Sequence, residues 1–529
     1  MDFIASRNGA VNVCCEGKKR MATLKKAGLI TLILSLVLKF AGFIREGVLA
    51  DKFGASALTD GYLIAFSLIT LVVVMTSDGF NSVFLPLFTQ GKQENETESY
   101  KTASSLLNNG ILILLSCSVI LYFAIPNFLP IVFSDVNTQT LETSIEVMQF
   151  FVVFLSLISV NGMLESYLQS FRSFIPTQIS RLLATLMSAA FGLFFTGKFG
   201  IYSLAYGFVF GILMGTIIQI ISLKRCGFKY YFLFKIDKVF LKSFIVLFFP
   251  AILSSIVGQI NVMVDKVFAS GTIEGAVTYL NNSSLIVSIP QAIYATTIVA
   301  ILFTLLSEQV SDQKKFQDTL HRGLKITIIT LMPMTLGVII LGSVLISIIY
   351  QRGLFNASDT EMTYHALLVY SPLILVQGIQ YVILKAMYVK RKTKKIFSLS
   401  LYTIFLNITF NYIFIKYFGY LGTALSTAML AVFFLLATSI SLYKDLDEGE
   451  WKKSLLVIIK VLPASIIMGS VVFILKEFVL QGFPALLILL ITTLFGVGVF
   501  FLALLITYRD GFMEVINLLP KKITTIFLK

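Results

Sequence analysis

Ala50-Asp51-Lys52-Phe53-Gly54-Ala55-Ser56, followed by Thr59-Asp60-Gly61, is answered later in the chain by a second copy. That copy reads Val264-Asp265-Lys266-Val267-Phe268-Ala269-Ser270, followed by Ile273-Glu274-Gly275. An Asp-Lys pair, an Ala-Ser pair and an acid followed by Gly recur 214 positions apart (51 to 265). A second echo relates Phe199-Gly200-Ile201 and Ala205 to Phe418-Gly419-Tyr420 and Ala424, 219 positions apart. Two echoes at nearly one offset indicate an internal duplication. Each copy of the first echo follows a long apolar stretch, so apolar stretches are what is duplicated.

Fourteen such stretches run through the 529 residues, near 28–46, 59–82, 104–129, 145–168, 177–197, 200–222, 240–262, 279–305, 323–348, 363–388, 396–416, 420–442, 454–475 and 483–507. A hydrocarbon layer about 30 Å thick takes roughly 20 apolar residues of helix to cross. With 57% hydrophobic and 13% charged residues, the chain could not hide this much apolar surface in a soluble fold. Inside a membrane every backbone polar group needs an internal partner, so the stretches are helices. Barrel strands would instead alternate polar and apolar residues over about 10 positions.

Basic residues occupy alternate gaps. Lys18, Lys19, Arg20, Lys25 and Lys26 precede the first stretch. Lys224, Arg225, Lys229, Lys235 and Lys238 follow the sixth, and Lys314, Lys315 and Arg322 follow the eighth. Lys390, Arg391, Lys392, Lys394 and Lys395 follow the tenth, and Lys521 and Lys522 lie in the C-terminal tail. The gap 130–145 holds Asp135 and Glu142 but no Lys or Arg. Retention of Lys and Arg on the inner side then places both termini in the cytoplasm. The net charge of +14 is thereby assigned to loops facing anionic lipid and not to nucleic-acid binding.

The expected fold is an all-α polytopic membrane protein of about fourteen transmembrane helices, with two pseudo-symmetric six-helix lobes and two further C-terminal helices. Its parts are a cytoplasmic tail (1–27), an N-lobe (28–222), a cytoplasmic linker (223–239), a C-lobe (240–442) and spans 13 and 14 with a cytoplasmic tail (443–529). Because six helices separate the copies, the repeats are parallel. Such repeats are typical of secondary transporters, in which two halves rock around a central site.

Enzyme chemistry has no anchor in the sequence. His321 and His365 are the only histidines, and Cys14, Cys15, Cys117 and Cys226 have no metal-ligand or disulfide spacing. No HExxH, CxxC or GxxxxGK[ST] occurs. No cleavable signal peptide is read; the first stretch serves as its own insertion signal, and either Met1 or Met21 could be the start.

Gly42-Phe43-Ile44-Arg45-Glu46 leading into Phe53-Gly54-Ala55 and Thr59-Asp60 carries a family resemblance. Ser170-Phe171-Arg172-Ser173-Phe174-Ile175-Pro176 and Tyr350-Gln351-Arg352-Gly353-Leu354-Phe355 support it. With its six, six and two spans, the chain resembles the MurJ/MviN lipid II flippases of the multidrug/oligosaccharidyl-lipid/polysaccharide exporter superfamily. The resemblance implies a V-shaped bundle with a cationic cavity, moving an undecaprenyl-pyrophosphate-linked sugar from inner to outer leaflet of the bacterial cytoplasmic membrane. It also implies a hydrophobic groove for the lipid tail at the two extra helices. The expected partners are that glycan lipid, membrane lipids and cell-wall synthesis proteins, with the chain itself a monomer. The family's inward-facing arginines of span 1 correspond to Lys39 and Arg45. Those of spans 2 and 8 correspond to Val73 and Leu285, so two of the expected cations are missing.

Charged residues in a span usually face a cavity or a partner. Lys39 and Arg45 could neutralise a pyrophosphate, against snorkelling for Arg45. Asp60 could gate or pair, against simple capping of its own helix beside Thr59. Asp78 could pair with Arg172 or Lys39, or simply face water, and Glu165 reads as a loop ion pair with Arg172. Lys385 could lend the second lobe a cation, against snorkelling. Asn407 and Asn411 on span 11, and Thr423 and Thr427 on span 12, are each i, i+4 pairs whose oxygens could coordinate sodium; interhelical hydrogen bonding is the commoner use. No cofactor is expected, and sodium or the membrane potential would drive transport. A flippase for another lipid-linked polysaccharide and a cation-coupled small-molecule antiporter are the alternatives.

The charge pattern yields a topology prediction. Cysteines introduced as Asp135→Cys and Ala357→Cys should react with an impermeant thiol reagent applied outside intact cells. Lys392→Cys should stay unlabelled, and its labelling would refute this topology.

Overall fold

The computed structural model describes residues 30–31 and 33–518, so the expected 1–27 tail lies outside the described residues. Among the described residues the regular structure is helical throughout, as backbone burial in hydrocarbon requires. In chain order the helices are α1 (33–53), α2 (Ala57–Val74), α3 (Phe80–Glu94), α4 (Glu96–Val132), α5 (Thr138–Val153), α6 (Leu155–Ser170), α7 (Ile175–Phe194), α8 (Thr196–Phe199) and α9 (Tyr202–Arg225). They continue as α10 (Lys238–Ser270), α11 (Ala276–Glu308), α12 (Gln313–Tyr350), α13 (Ala357–Tyr370), α14 (Leu373–Val389), α15 (Thr393–Phe418), α16 (Tyr420–Tyr443), α17 (Glu450–Ile474), α18 (Ala485–Thr507) and α19 (Arg509–Leu518). A π-helical turn over Met75–Gly79 joins α2 to α3.

Eleven candidate spans are found among the described residues, or twelve if α5 and α6, bent by 59°, are one. The other two of the fourteen expected stretches fall on α1, whose expected start lies outside the described residues, and on the 20-residue α7.

The duplication is visible in the backbone. Gly200 (φ 55°, ψ −142°) precedes α9 and Gly419 (φ 56°, ψ −139°) precedes α16. A Cβ would be strained in that conformation, which explains why glycine stands in both copies of the echo. Among the described residues, Arg172 and Arg391, 219 positions apart, are the two non-glycine residues with positive φ, at 57° and 56°. Both end a helix in the same way: Ser173 N–H donates to the Leu168 carbonyl and Lys392 N–H to the Met387 carbonyl, each at 2.9 Å. Asn137 and Asn356, also 219 apart, accept from the backbone N–H two residues on, opening α5 and α13.

The chain divides into two compact units that do not follow the halves of the repeat. Of the described residues, the first comprises those up to Val48, Leu68–Asn127 and Ile145–Ile256, the second Leu49–Ser67, Phe128–Ser144 and those from Val257 onward. Local bonds explain why 49–67 and 128–144 share a unit. Ser144 Oγ donates to the Gly61 carbonyl at 3.1 Å, and a Cβ on Gly61 would meet Thr140 O at 2.7 Å.

In the first unit, Phe80, Phe84, Phe88, Tyr167 and Phe244 form an aromatic core. Tyr167 satisfies its hydroxyl by donating to the Ala103 carbonyl at 2.8 Å. Gly207, Gly211 and Gly215 line the α9 face that meets α7; added Cβ atoms would fall 2.3 Å from Met187 O, 2.5 Å from Leu183 O and 2.1 Å from Ser180 Oγ. Small residues four apart let the two backbones touch where lipid offers no hydrophobic drive to association. In the second unit, α12, α17 and α18 pack around Met332, Val461, Met468, Val472 and Phe500.

The Tyr350–Phe355 segment is tied to the repeat segment by Leu354 N–H donating to the Asp51 carbonyl at 3.0 Å. Gly353 has φ 54°, and a Cβ there would lie 2.0 Å from Asp51 O. Gly353→Ala should therefore destabilise the protein by on the order of 1–3 kcal/mol, read as a lowered Tm of the detergent-solubilised protein.

Candidate substrate and cation sites

Span 11 and span 12 supply the side chains expected to hold a cation, and α10 supplies their centre. Asn407 Nδ2 and Asn411 Nδ2 each donate to Asp265 Oδ1 at 2.9 Å. Thr427 Oγ1 donates to Asp265 Oδ2 at 2.7 Å. Thr423 is one turn away; its carbonyl accepts from Thr427 Oγ1 at 3.2 Å. The Thr423 hydroxyl and Asn411 Oδ1 are buried oxygens with no hydrogen-bond partner among the described residues. A cavity of about 330 Å³ adjoins the carboxylate, with Lys266, Gln291, Tyr370 and Gln377 in its wall. The two amide nitrogens and the Thr427 hydroxyl are thus spent on interhelical hydrogen bonds to Asp265, and the oxygens left for a hard cation are those of Asp265 itself, Asn411 and Thr423. Among the described residues no cluster of three His, Cys, Asp or Glu is present to hold a multivalent metal. Asp265 had entered the sequence reading only as part of the repeat; its i, i+4 partners on two later spans were the signal.

Asp60 does not serve its own helix. It is buried, and Oδ2 accepts from Gly275 N–H at 2.9 Å while Oδ1 accepts from Thr278 N–H at 2.9 Å and the Thr278 hydroxyl at 2.6 Å. It thus caps the N-terminus of α11, where the helix leaves N–H groups unpaired. Its repeat counterpart reciprocates: Glu274 Oε1 accepts from Ala57 N–H, at the start of α2, at 2.9 Å. The acids at equal spacing in the two copies exchange caps. Thr59 instead donates to the Gly54 carbonyl at 2.8 Å.

The intramembrane cations differ among themselves. Lys39 is exposed on α1. Arg45 is mostly buried and paired with its buried neighbour Glu46. Lys385 is half-buried, its ammonium 5.1 Å from the Phe303 ring centre and 5.9 Å from that of Tyr388, a cation–π arrangement near the basic end of α14.

Glu165 is corrected from a loop residue paired with Arg172 to a buried anchor for Arg181. Arg181 Nε donates to Oε1 at 2.9 Å and Nη2 to Oε2 at 2.6 Å. Ser77, in the π-helical turn, donates to Oε2 at 3.1 Å. The reason is register: Glu165 lies on the α6 face that also carries Asn161 and Gln169, and these bond to Ser180 and Asn81. Asp78 is exposed in the same π-turn, in line with the water-facing alternative; among the described residues no ion pair joins it to Arg172 or Lys39, and its charge acts at Arg181. Arg181 was missed because nothing in its sequence context sets it apart.

An apolar groove of about 490 Å³ runs between α12, α17 and α18, lined by Ile329, Pro333, Leu341, Met468, Val497 and Phe501 among others.

Comparison with known proteins identifies the family and the fold. The profile of one family, described as "Lipid II flippase MurJ", matches residues 49–495. The chain belongs to this family. A probable lipid II flippase MurJ of Buchnera aphidicola subsp. Acyrthosiphon pisum is 26% identical, over 84% of this chain and 88% of its own. One of Aquifex aeolicus is 27% identical, over 75% and 78%. A solved structure titled "Lipid II flippase MurJ, inward closed conformation" superposes with a TM-score of 0.77 at 26% identity, covering 91% of this chain and 99% of that one. An inward-facing multidrug-resistance transporter of the MOP superfamily, at 13% identity and a TM-score of 0.65, shares the fold. This MurJ-family chain is therefore a multi-pass helical membrane protein.

Removing one partner of a buried ion pair costs roughly 3–5 kcal/mol, less where solvent reaches the pair. Arg181 is 44% exposed, so Glu165→Gln should cost on the order of 1–3 kcal/mol. Joined with Arg181→Met it should recover part of that loss, measured as Tm in a double-mutant cycle.

Proposed function

We propose that this chain flips lipid II, a polyprenyl-pyrophosphate-linked cell-wall precursor, from the inner to the outer leaflet of the bacterial cytoplasmic membrane. The observation that carries the reading is the family match over residues 49–495. The activity is transport and not a chemical conversion, so the chain is no enzyme. The basic end of the bundle faces the cytoplasm, with both termini inside. Lys39 is the exposed cation for the pyrophosphate, while Arg45, answered by Glu46, contributes less net charge. The groove between α12, α17 and α18 takes the prenyl tail. Asp265, with Asn407, Asn411, Thr423 and Thr427, holds sodium, whose gradient drives the cycle.

Exchange of caps between Asp60 and Glu274 joins the two repeat segments at the outer end. In an alternating-access cycle these bonds hold the outer mouth shut and break when it opens. A second reading is favoured by Val73 and Leu285, which stand where the resemblance expects arginine: the substrate is then another polyprenyl-linked glycan.

Depleting the protein in its native host and identifying the accumulated prenyl-linked precursor by mass spectrometry separates the two readings. In proteoliposomes loaded with lipid II, Lys39→Ala should abolish flipping and Lys39→Arg retain it. Asp265→Asn should remove the dependence of flipping on sodium. Full flipping by Lys39→Ala would take that residue out of the mechanism.

A further inference from the structure

The end of the apolar groove nearest the basic loops is closed by α19. Phe512 of α19 packs on Phe501 of the groove wall, ring centres 6.3 Å apart. Gly511 lies against Ile329, another wall residue, with a Cβ position 3.1 Å from its Cδ1. One turn before Ile329, Lys325 pairs with Glu514 of α19. Arg322 Nε donates to the same carboxylate, to Oε1, at 2.7 Å. The Lys460 ammonium, two turns before the wall residue Met468, lies 5.0 Å from the centre of the Tyr508 ring. Two cations of α12 thus hold one carboxylate of α19, and a third, from α17, lies over the Tyr508 ring just before α19, all at the mouth of an apolar slot. Burial works to raise the Glu514 pKa, yet hydrogen bonds and charge from Lys325 and Arg322 hold it below the ordinary carboxylate range.

We propose that Arg322, Lys325 and Lys460 form a phosphate-binding site at the cytoplasmic mouth of the groove, and that Glu514 occupies it in competition with the diphosphate of a prenyl lipid. The inference rests on the lipid-transport reading above and adds a headgroup site to the tail groove. The slot is apolar and the mouth cationic, so the ligand is an anionic head on a long apolar chain. Arg322, Lys325 and Lys460 stand against Glu514 and Asp510, whose charge also acts at Tyr508, so displacement of Glu514 leaves an excess of two positive charges, which matches a diphosphate better than the single charge of a phosphodiester. Arg322 and Lys325 act as charge-assisted donors that a phosphate oxygen accepts as readily as a carboxylate. When the lipid enters, its diphosphate displaces Glu514, and α19 leaves the mouth of the groove. Glu514 therefore makes release reversible, because it retakes the cations once the head departs.

Native mass spectrometry of the full-length protein tests this with undecaprenyl diphosphate, undecaprenol, phosphatidylglycerol and inorganic pyrophosphate as separate probes. Glu514→Gln should raise affinity for undecaprenyl diphosphate about tenfold, and Arg322→Gln with Lys325→Gln should lower it about a hundredfold, two charge-assisted bonds' worth. Lys460→Gln, which leaves the Glu514 pairs in place, should lower it several-fold. Undecaprenol affinity should stay constant in all variants, which shows the groove intact. Unchanged or weaker diphosphate binding by Glu514→Gln would overturn the proposal. An equal gain for phosphatidylglycerol would overturn it in favour of a general anionic-lipid contact, and an equal gain for inorganic pyrophosphate in favour of a free-phosphate site. Lipid II flipping by the unsubstituted protein is measured in parallel. Flipping with flat diphosphate affinities sinks this site alone; the expected affinities without flipping sink the substrate reading alone.

Discussion

A carboxylate inside an apolar helical bundle has to be answered by donors from the protein, because hydrocarbon offers none. Each notable feature of this chain is an answer to that demand. Asp60 is met by the backbone at the start of α11, Glu165 by the guanidinium of Arg181, and Asp265 by two amides and a hydroxyl. The three answers differ in how easily they can be exchanged. A bidentate arginine is a strong and local partner. Backbone N–H groups at a helix start are available only while two segments touch. Amides and hydroxyls leave a carboxylate its full negative charge, and so leave it open to a cation.

That difference in exchangeability sorts the sites by role. The Asp60 and Glu274 caps are reciprocal and lie between the two copies of one repeated segment, so breaking one weakens the other. This is the arrangement expected of a contact that must open as a unit. The Glu165–Arg181 pair is bidentate and braces the π-turn through Ser77, which suits a permanent support. Asp265 sits beside a cavity with unpartnered oxygens around it, which suits a site that is filled and emptied.

The groove between α12, α17 and α18 follows a different logic. Its walls are apolar along their length, and its charge is gathered at one mouth. A long amphiphile can lie there without burying its head, whereas a compact substrate would gain nothing from the length. The two C-terminal spans are thus more than an appendix to the repeat: together with α12 they enclose an apolar groove that the preceding helices alone do not.

Hydrophobic periodicity and the spacing of Lys and Arg determined by themselves that the chain is helical, membrane-spanning and duplicated. Those properties follow from composition and local sequence, since a helix in lipid satisfies its own backbone whatever its neighbours do. The glycines at 200 and 419 and the arginines at 172 and 391 show how far this reached, because equal sequence gave equal backbone 219 residues apart. Pairing was another matter. Asn407, Asn411 and Thr427 were legible as two stripes of polar atoms, but the carboxylate between them comes from a helix about 140 residues earlier, by the hydrogen-bond separations. Asp60 looked like a cap for the helix it begins, and only the fold shows that it caps another. Glu165 was near Arg172 in sequence and bonds to Arg181 because helix rotation, and not chain distance, decides which side chains meet. Only the tertiary structure could make these choices, since each depends on which helical faces pack together, and single-helix periodicity carries no information about the neighbour.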